Sequence, residues 1–171
     1  MCIVVDTCTF ASVFNEYSQD HSLFQPVLEW IVRGKGKLVY GGTKYKIELK
    51  QASKYLGVFG QLKRAGKVVE IDDVKVDERQ RDIERIASEG LNDAHIIAII
   101  AESGCRLICT KDSKATNPYF KCSDLYPPGI SRPKIYSGRK QNRDLLCDLN
   151  IAKICEPVSK GTRELCNMFN I

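Results

Sequence analysis

The sequence predicts an α/β protein, a three-layer α/β/α sandwich around a central, mainly parallel sheet. Short apolar runs that are typical of buried strands alternate along the chain with longer segments whose apolar residues recur at helical spacing. The 171 residues, 43% hydrophobic and 27% charged, suit one globular domain with a buried core. We therefore expect a single domain over residues 1–171, with its core in about 1–140 and a C-terminal extension of unassigned role in about 150–171.

Five segments are predicted as strands because each is a short, largely apolar run. In chain order they lie at residues 2–5, 38–40, 68–71, 106–110 and 134–137. The first reads CIVV and ends directly at Asp6, and the fourth reads RLICT and ends shortly before Asp112. In open α/β sheets ligands bind outside the carboxyl ends of the strands, so these two positions are where chemistry is expected.

Helices are predicted where apolar residues recur every three or four positions. In chain order these segments lie around residues 10–17, 21–33, 43–56, 57–66, 74–89, 92–103, 140–149 and 162–169. Thr43 is a plausible N-cap of the third segment, and Gly90 separates the charged segment from the very apolar one that follows it. A loop rich in proline, serine and asparagine is expected over about 113–133.

Charge and cysteine content limit the class of protein. The formal net charge of +5 permits a polyanionic partner without demanding one. The N-terminus lacks the pattern of a secretory signal, and no apolar run approaches the roughly 18 residues of a membrane span, so a soluble, cytoplasmic protein with no membrane partner is expected. Because no secretory signal is present, the eight cysteines are expected to be reduced. None of their spacings matches a standard zinc site.

Four carboxylates stand at positions that suggest chemistry. Asp6 and Asp112 follow the first and fourth strands, although an N-cap and a turn residue are the ordinary interpretations. Glu48 borders the apolar stripe of its helix and could instead pair with Lys44 at the surface. Asp93 opens the most apolar helix and projects onto its apolar face, although it could also cap that helix.

Acids gathered in one place repel each other, so a cation must usually hold them together. Mg²⁺ and Mn²⁺ prefer oxygen ligands, and such a site can activate water and clamp a phosphodiester. The four acids therefore indicate nuclease chemistry.

At this point the sequence resembles the PIN-domain nucleases, many of which are toxins of VapBC-type toxin–antitoxin pairs. The matching stretches are VVDTCTF at 4–10, GTKYKIEL at 42–49, LNDAHIIAIIAESG at 91–104 and LICTKD at 107–112. The resemblance covers about residues 1–140. It implies a PIN-like fold and an endoribonuclease that hydrolyses RNA with Mg²⁺ or Mn²⁺, and it assigns the catalytic, metal-binding role to Asp6, Glu48, Asp93 and Asp112. It also suggests an antitoxin or other regulatory protein as partner, and a homodimer.

This chain departs from the family just after the last acid. Many relatives have a further acidic or amide group there, whereas this sequence offers Ser113, Thr116 and Asn117, which makes a second metal ion doubtful. Thr7 and Thr110 are further supporting candidates, since each stands next to an acid or two residues before one. His95 is expected to face away from Asp93 and to have a structural or surface role.

Basic residues near the predicted site could hold the phosphate backbone of RNA, although a solvated basic face is the simpler interpretation of each. The candidates are Lys44, Lys46, Arg132, Lys134, Arg139 and Lys140. Two alternative functions remain open: a catalytically silent PIN-like module that binds RNA or protein, and a structure-specific DNA nuclease. The sequence lacks a DNA-tracking insertion, which disfavours the second of these.

Overall fold

The computed structural model describes residues 2–87, 91–111, 118–150, 152–157 and 163–169, and it contains an all-parallel sheet of five strands. The strands are β1 (Cys2–Val5), β2 (Lys37–Gly41), β3 (Val68–Ile71), β4 (Leu107–Cys109) and β5 (Lys134–Tyr136). Their order across the sheet is β3-β2-β1-β4-β5. The predicted α/β class and parallel sheet are confirmed, and each strand lies within one residue of its predicted bounds.

The helices of the described residues pack around this sheet. They are α1 (Phe10–Phe14), α2 (His21–Val32), α3 (Thr43–Gln51), α4 (Leu56–Arg64), α5 (Asp73–Ile86), α6 (Ala94–Ser103), α7 (Pro118–Lys121) and α8 (Arg163–Met168). Helix α1 packs on α2, α5 packs on α6, and α6 also contacts β1, β2 and β3, an arrangement that is consistent with three layers. Within the described ranges, no helix has both the length and the apolar character needed to cross a membrane.

The third predicted helix is shorter than expected. It ends at Gln51, because Ala52 leaves the helical conformation with φ −84° and ψ 45°. A 3-10 turn over Ser53–Tyr55 follows and leads into α4. Aromatic packing accounts for the bend, since the rings of Tyr55 and Phe59 lie 5.7 Å and 5.4 Å from the ring of Phe10. Helical spacing alone contains no sign of this contact.

The N-terminus of α3 is held by acids of α5. Thr43 is the first residue of α3 and not its N-cap, and its N–H donates to Oδ1 of Asp77 at 2.8 Å. The preceding N–H, of Gly42, donates to Asp73 at 2.9 Å. Gly42 has φ +80°, and a Cβ there would lie 2.5 Å from Cγ1 of Val76, so only glycine fits this turn. These contacts fix α3, and hence Glu48, relative to α5.

Part of the C-terminal extension is joined to the first strand. Cys2 and Cys155, 153 positions apart, form a disulfide with their Cα atoms 6.3 Å apart, and both residues are fully buried. The expectation of eight reduced thiols is therefore wrong for this pair. The other six cysteines are free. Farther along, the ring of Phe169 lies 6.5 Å from the ring of Phe14, so the residue that follows α8 also packs against the core.

Candidate functional site

The carboxyl ends of β1 and β4 form the topological switch point of the sheet. From β1 the chain passes to β2 on one side, whereas β4 lies on the other side of β1. The N–H of Asp6 donates to the carbonyl of Cys109 at 2.9 Å, and the N–H of Thr110 donates to the carbonyl of Tyr136 at 3.0 Å. Parallel sheets open a crevice at such a point, where their ligands bind.

Asp6 is anchored at this crevice through both oxygens. Oδ1 accepts the N–H of Cys8 at 3.2 Å, so Asp6 caps the 3-10 turn Thr7–Thr9 that follows β1. Oδ2 accepts the hydroxyl of Thr110 at 2.8 Å. The buried hydroxyl of Tyr45, on α3, donates to the carbonyl of Val5 at 2.6 Å and holds the end of β1 in place.

Glu48 is linked to the turn after β1 by Thr7, the residue that follows Asp6. Its side chain is 27% exposed, and its Oε2 accepts the hydroxyl of Thr7 at 2.8 Å. The same oxygen lies 3.3 Å from Nε2 of His95. Burial acts to raise the pKa of Glu48, but the neighbouring His95, the hydroxyl of Thr7 and the charge of Lys44 outweigh it, so that the pKa is lowered. Glu48 is therefore ionised at neutral pH.

His95 belongs to this cluster although the sequence suggested a structural or surface role. The residue is 2% exposed, so a surface position is wrong. By helical geometry, His95 does face away from Asp93. Because every residue of α6 from Ala94 to Ala101 is buried, this opposite face of the helix does not face solvent. The apolar run from Ile96 to Ala101 could have indicated this burial, since a helix that is apolar all round is normally buried.

Asp93 occupies the N-cap position of α6, yet its side chain makes no capping hydrogen bond. Residues on both sides of Asp93 contact α3. The carbonyl of Asn92 accepts a hydrogen bond from Nζ of Lys44 at 2.5 Å, and Nε2 of His95 lies 3.3 Å from Oε2 of Glu48. Asp93 is partly exposed and has interactions of its own. The start of α6 therefore lies against α3.

The fourth predicted acid, Asp112, lies outside the described residues, and so do the supporting candidates Ser113, Thr116 and Asn117. Lys111 leads toward them from β4. Its N–H donates to the hydroxyl of Thr9 at 3.2 Å, so the chain passes the 3-10 turn that follows Asp6.

The predicted basic residues divide into two groups. Arg139 and Lys140 are exposed and follow the carboxyl end of β5, at the same edge of the sheet as Asp6. Arg132 and Lys134 are also exposed but lie at the amino end of β5, where the N–H of Lys134 donates to the carbonyl of Arg106. The sheet therefore separates two pairs of basic residues that are close together in the sequence.

The two lysines of α3 also differ in position. Nζ of Lys44 contacts Asn92 beside Asp93, whereas Nζ of Lys46 lies 2.6 Å from both Glu70 and Asp73. Lys46 is thus neutralised by neighbouring acids, while Lys44 remains next to the candidate site.

The chemistry of the acids fits a hard divalent cation. Asp6 and Glu48 offer oxygen ligands, and no lysine or arginine among the described residues forms an ion pair with either. The described residues contain no group of three or more histidine, cysteine or acidic side chains that could hold a metal ion, so Asp6, Glu48 and Asp93 are not gathered into one ligand set. Asp112, the fourth predicted ligand, lies outside those residues.

A cysteine nucleophile does not suit the site. Burial and the charge of Asp6 raise the pKa of the Cys8 thiol to about 11, so the thiol keeps its proton at neutral pH. Thiolate chemistry requires the deprotonated form. The acids therefore remain the candidates for chemistry at the carboxyl ends of the strands.

Comparison of this chain with family models, with curated proteins and with solved structures gives no match. A functional conclusion must therefore come from the site itself, as function resides in specific residues and not in the fold class alone.

Proposed function

We propose that this protein is a metal-dependent nuclease that hydrolyses RNA phosphodiester bonds, with Mg²⁺ or Mn²⁺ held by Asp6, Glu48, Asp93 and Asp112. The main support is the pairing of ionisable acids with hydroxyl donors at the switch point of the sheet. Oδ2 of Asp6 is bound by Thr110 at 2.8 Å, and Oε2 of Glu48 is bound by Thr7 at 2.8 Å. Carboxylates that are oriented by hydroxyl groups and left without a paired cation are suited to metal binding.

The finer classification as a PIN-like fold belongs to the same proposal. It is supported by the parallel sheet with β1 at its centre and by the positions of the acids, one after β1, one on α3 and one at the start of α6. These are the element types on which the resemblance places the catalytic acids.

Each residue would have a defined task in the reaction. Asp6 and Glu48 would offer carboxylate oxygens from two elements that Tyr45 fixes relative to each other. A bound Mg²⁺ or Mn²⁺ ion would supply acidification of water and neutralisation of charge on the phosphate. Asp93, at the start of α6, does not share a ligand set with Asp6 and Glu48 among the described residues and would join them when the ion binds.

Positive charge on the same side of the sheet as the acids supports a nucleic-acid substrate, and the resemblance to PIN-domain nucleases suggests RNA. Arg139 and Lys140 are exposed there, and Lys44 lies beside Asp93. Cationic side chains at this edge would bind the phosphate backbone on either side of the cleaved bond. The contacts of a backbone-binding site do not distinguish RNA from single-stranded DNA, so the test must include both.

Cleavage of labelled single-stranded RNA, hairpin RNA and single-stranded DNA by the full chain tests the proposal. Wild type would be compared with Asp6→Asn and Asp93→Asn in Mn²⁺, in Mg²⁺ and in EDTA. Asp82→Asn is the control, because Asp82 is an exposed acid paired with Arg85 on α5. We expect RNA cutting that requires metal, persists in the control and falls by at least about a thousandfold in the two site variants, as for loss of a catalytic group.

Three other outcomes would redirect the proposal. Cutting of DNA alone would establish a DNA nuclease. RNA binding by an inert wild type would establish a silent binding module. Equal cutting by wild type and both site variants would show that the activity comes from elsewhere.

A further inference from the structure

His95 is a buried polar residue in an otherwise apolar helix. Every residue of α6 from Ala94 to Ala101 is buried, and His95 is 2% exposed. Neither ring nitrogen has an aligned hydrogen-bond partner among the described residues, and the nearest charged group is Oε2 of Glu48, 3.3 Å from Nε2. Buried polar groups nearly always have a partner, so an imidazole at this position requires an explanation.

Packing alone does not explain the residue. The imidazole lies 6.5 Å from the ring of Tyr45, between α6 and α3, where leucine or methionine would fill similar volume without a polar atom. Burying an unsatisfied nitrogen destabilises the folded protein. A function that needs the N–H group next to Glu48 would explain why a polar side chain stands there.

The contacts of Glu48 indicate what this function is. Thr7 and His95 both approach Oε2, one from the turn after β1 and the other from α6. Oε1 accepts no hydrogen bond from the described residues. Among the described residues, two neighbours thus approach one oxygen of the carboxylate and none donates a hydrogen bond to the other.

We propose that His95 is a positioning residue, whose Nε2–H holds Oε2 of Glu48 so that Oε1 is presented to the divalent cation. A neutral imidazole with its proton on Nε2 is sufficient for this role. The inference rests on the proposed metal-dependent function. Groups that orient a metal ligand in this way typically change metal affinity by about 10- to 100-fold when they are removed.

Mn²⁺ binding to the full chain, followed by the electron paramagnetic resonance signal of free Mn²⁺, tests this inference without reference to activity. His95→Leu removes the donor and fills the space, whereas His95→Gln retains an N–H near the position of Nε2. We expect Mn²⁺ affinity to fall about tenfold in His95→Leu and to stay within about threefold of wild type in His95→Gln. Circular dichroism checks the fold, and His95→Met replaces His95→Leu if the latter does not fold.

A double-substitution cycle with Glu48→Gln distinguishes positioning from packing. If His95 acts through Glu48, His95→Leu weakens Mn²⁺ binding in wild type and has no further effect in Glu48→Gln. Equal losses in His95→Leu and His95→Gln, or a full additional loss in the double variant, would overturn the inference. Wild-type affinity in His95→Leu would overturn it too and leave the proposed function intact. A wild type that takes up no Mn²⁺ would overturn both.

Discussion

The hydroxyl of Thr110 donates a hydrogen bond of 2.8 Å to Oδ2 of Asp6 and joins the carboxyl ends of the two central strands. Thr110 is 1% exposed and Asp6 is half-buried, so this contact is partly shielded from water. The sequence made Thr110 a supporting candidate because it stands two residues before Asp112, and among the described residues its acid partner is Asp6. The orientation of the first candidate ligand therefore depends on the strand that lies beside it.

Thr110→Val should impair RNA cleavage while preserving the fold, because valine keeps the shape of threonine and loses the hydroxyl. A hydrogen bond to a charged group contributes about 1.5–3 kcal/mol, so we expect kcat to fall by roughly 10- to 100-fold. Single-turnover cleavage at saturating Mn²⁺ measures this effect. Ser103→Ala is the matched control, because it removes another buried hydroxyl far along α6. Wild-type cleavage by Thr110→Val would limit Thr110 to strand packing.

The strands and Asp6 could be predicted from the sequence because they depend on local pattern. A continuous apolar run such as CIVV must be buried, and the acid that follows it must lie at the edge of the sheet. The contact between His95 and Glu48 could not be predicted in this way, since it depends on how α6 and α3 pack. Helical spacing gives the face on which a side chain lies but not the element that covers that face.

The same reason explains the division of the basic residues. Arg132 and Arg139 are seven positions apart in the sequence. Arg132 precedes β5 and Arg139 follows it, so the two residues lie at opposite ends of this strand. A cluster in sequence becomes two separate sites whenever a strand runs through it.

Arg139 and Lys140 should contribute to RNA binding, and Arg132 and Lys134 should not. The double variant Arg139→Gln/Lys140→Gln removes two charges at the edge that contains Asp6, and Arg132→Gln/Lys134→Gln removes two charges at the other edge. We expect the first to reduce the slope of log affinity against log salt by about 1.4, as for two phosphate contacts with single-stranded RNA. Fluorescence anisotropy with catalytically inactive Asp6→Asn protein measures it. Equal effects of the two double variants would indicate nonspecific attraction by net charge.

Lys67 should make stability depend on pH in the alkaline range. Its side chain is fully buried and donates to the carbonyl of Gly34 at 2.8 Å, and burial together with the charge of Lys37 lowers its pKa from 10.5 to about 8. Below about pH 8 the lysine is charged in both folded and unfolded states, and the folded state bears the cost of burial. Between about pH 8 and 10.5 the unfolded state binds more protons, so the free energy of unfolding rises with pH.

Lys67→Met should remove that rise. At neutral pH we expect the free energy of unfolding of the variant to exceed that of wild type by on the order of 1–3 kcal/mol, reduced by the contribution of the lost hydrogen bond. This difference should shrink as pH increases toward about 10. Urea unfolding across this pH range measures the difference, with Lys50→Met on the exposed face of α3 as the control. A difference between Lys67→Met and wild type that stays constant with pH would mean that Lys67 does not titrate in this range.

The disulfide between Cys2 and Cys155 should be detectable by counting thiols. Protein prepared and denatured without reductant should show the six free thiols, and reduction should release two more. Because the bond closes a very long loop, Cys155→Ala should lower the free energy of unfolding by about 2–4 kcal/mol without reductant and by much less with it. Cys166→Ala on α8 is the matched control, since it removes a free thiol from the same C-terminal region. Eight reactive thiols before reduction would show that the two sulfurs are neighbours without a bond, and Cys155→Ala would then have the same effect in both conditions.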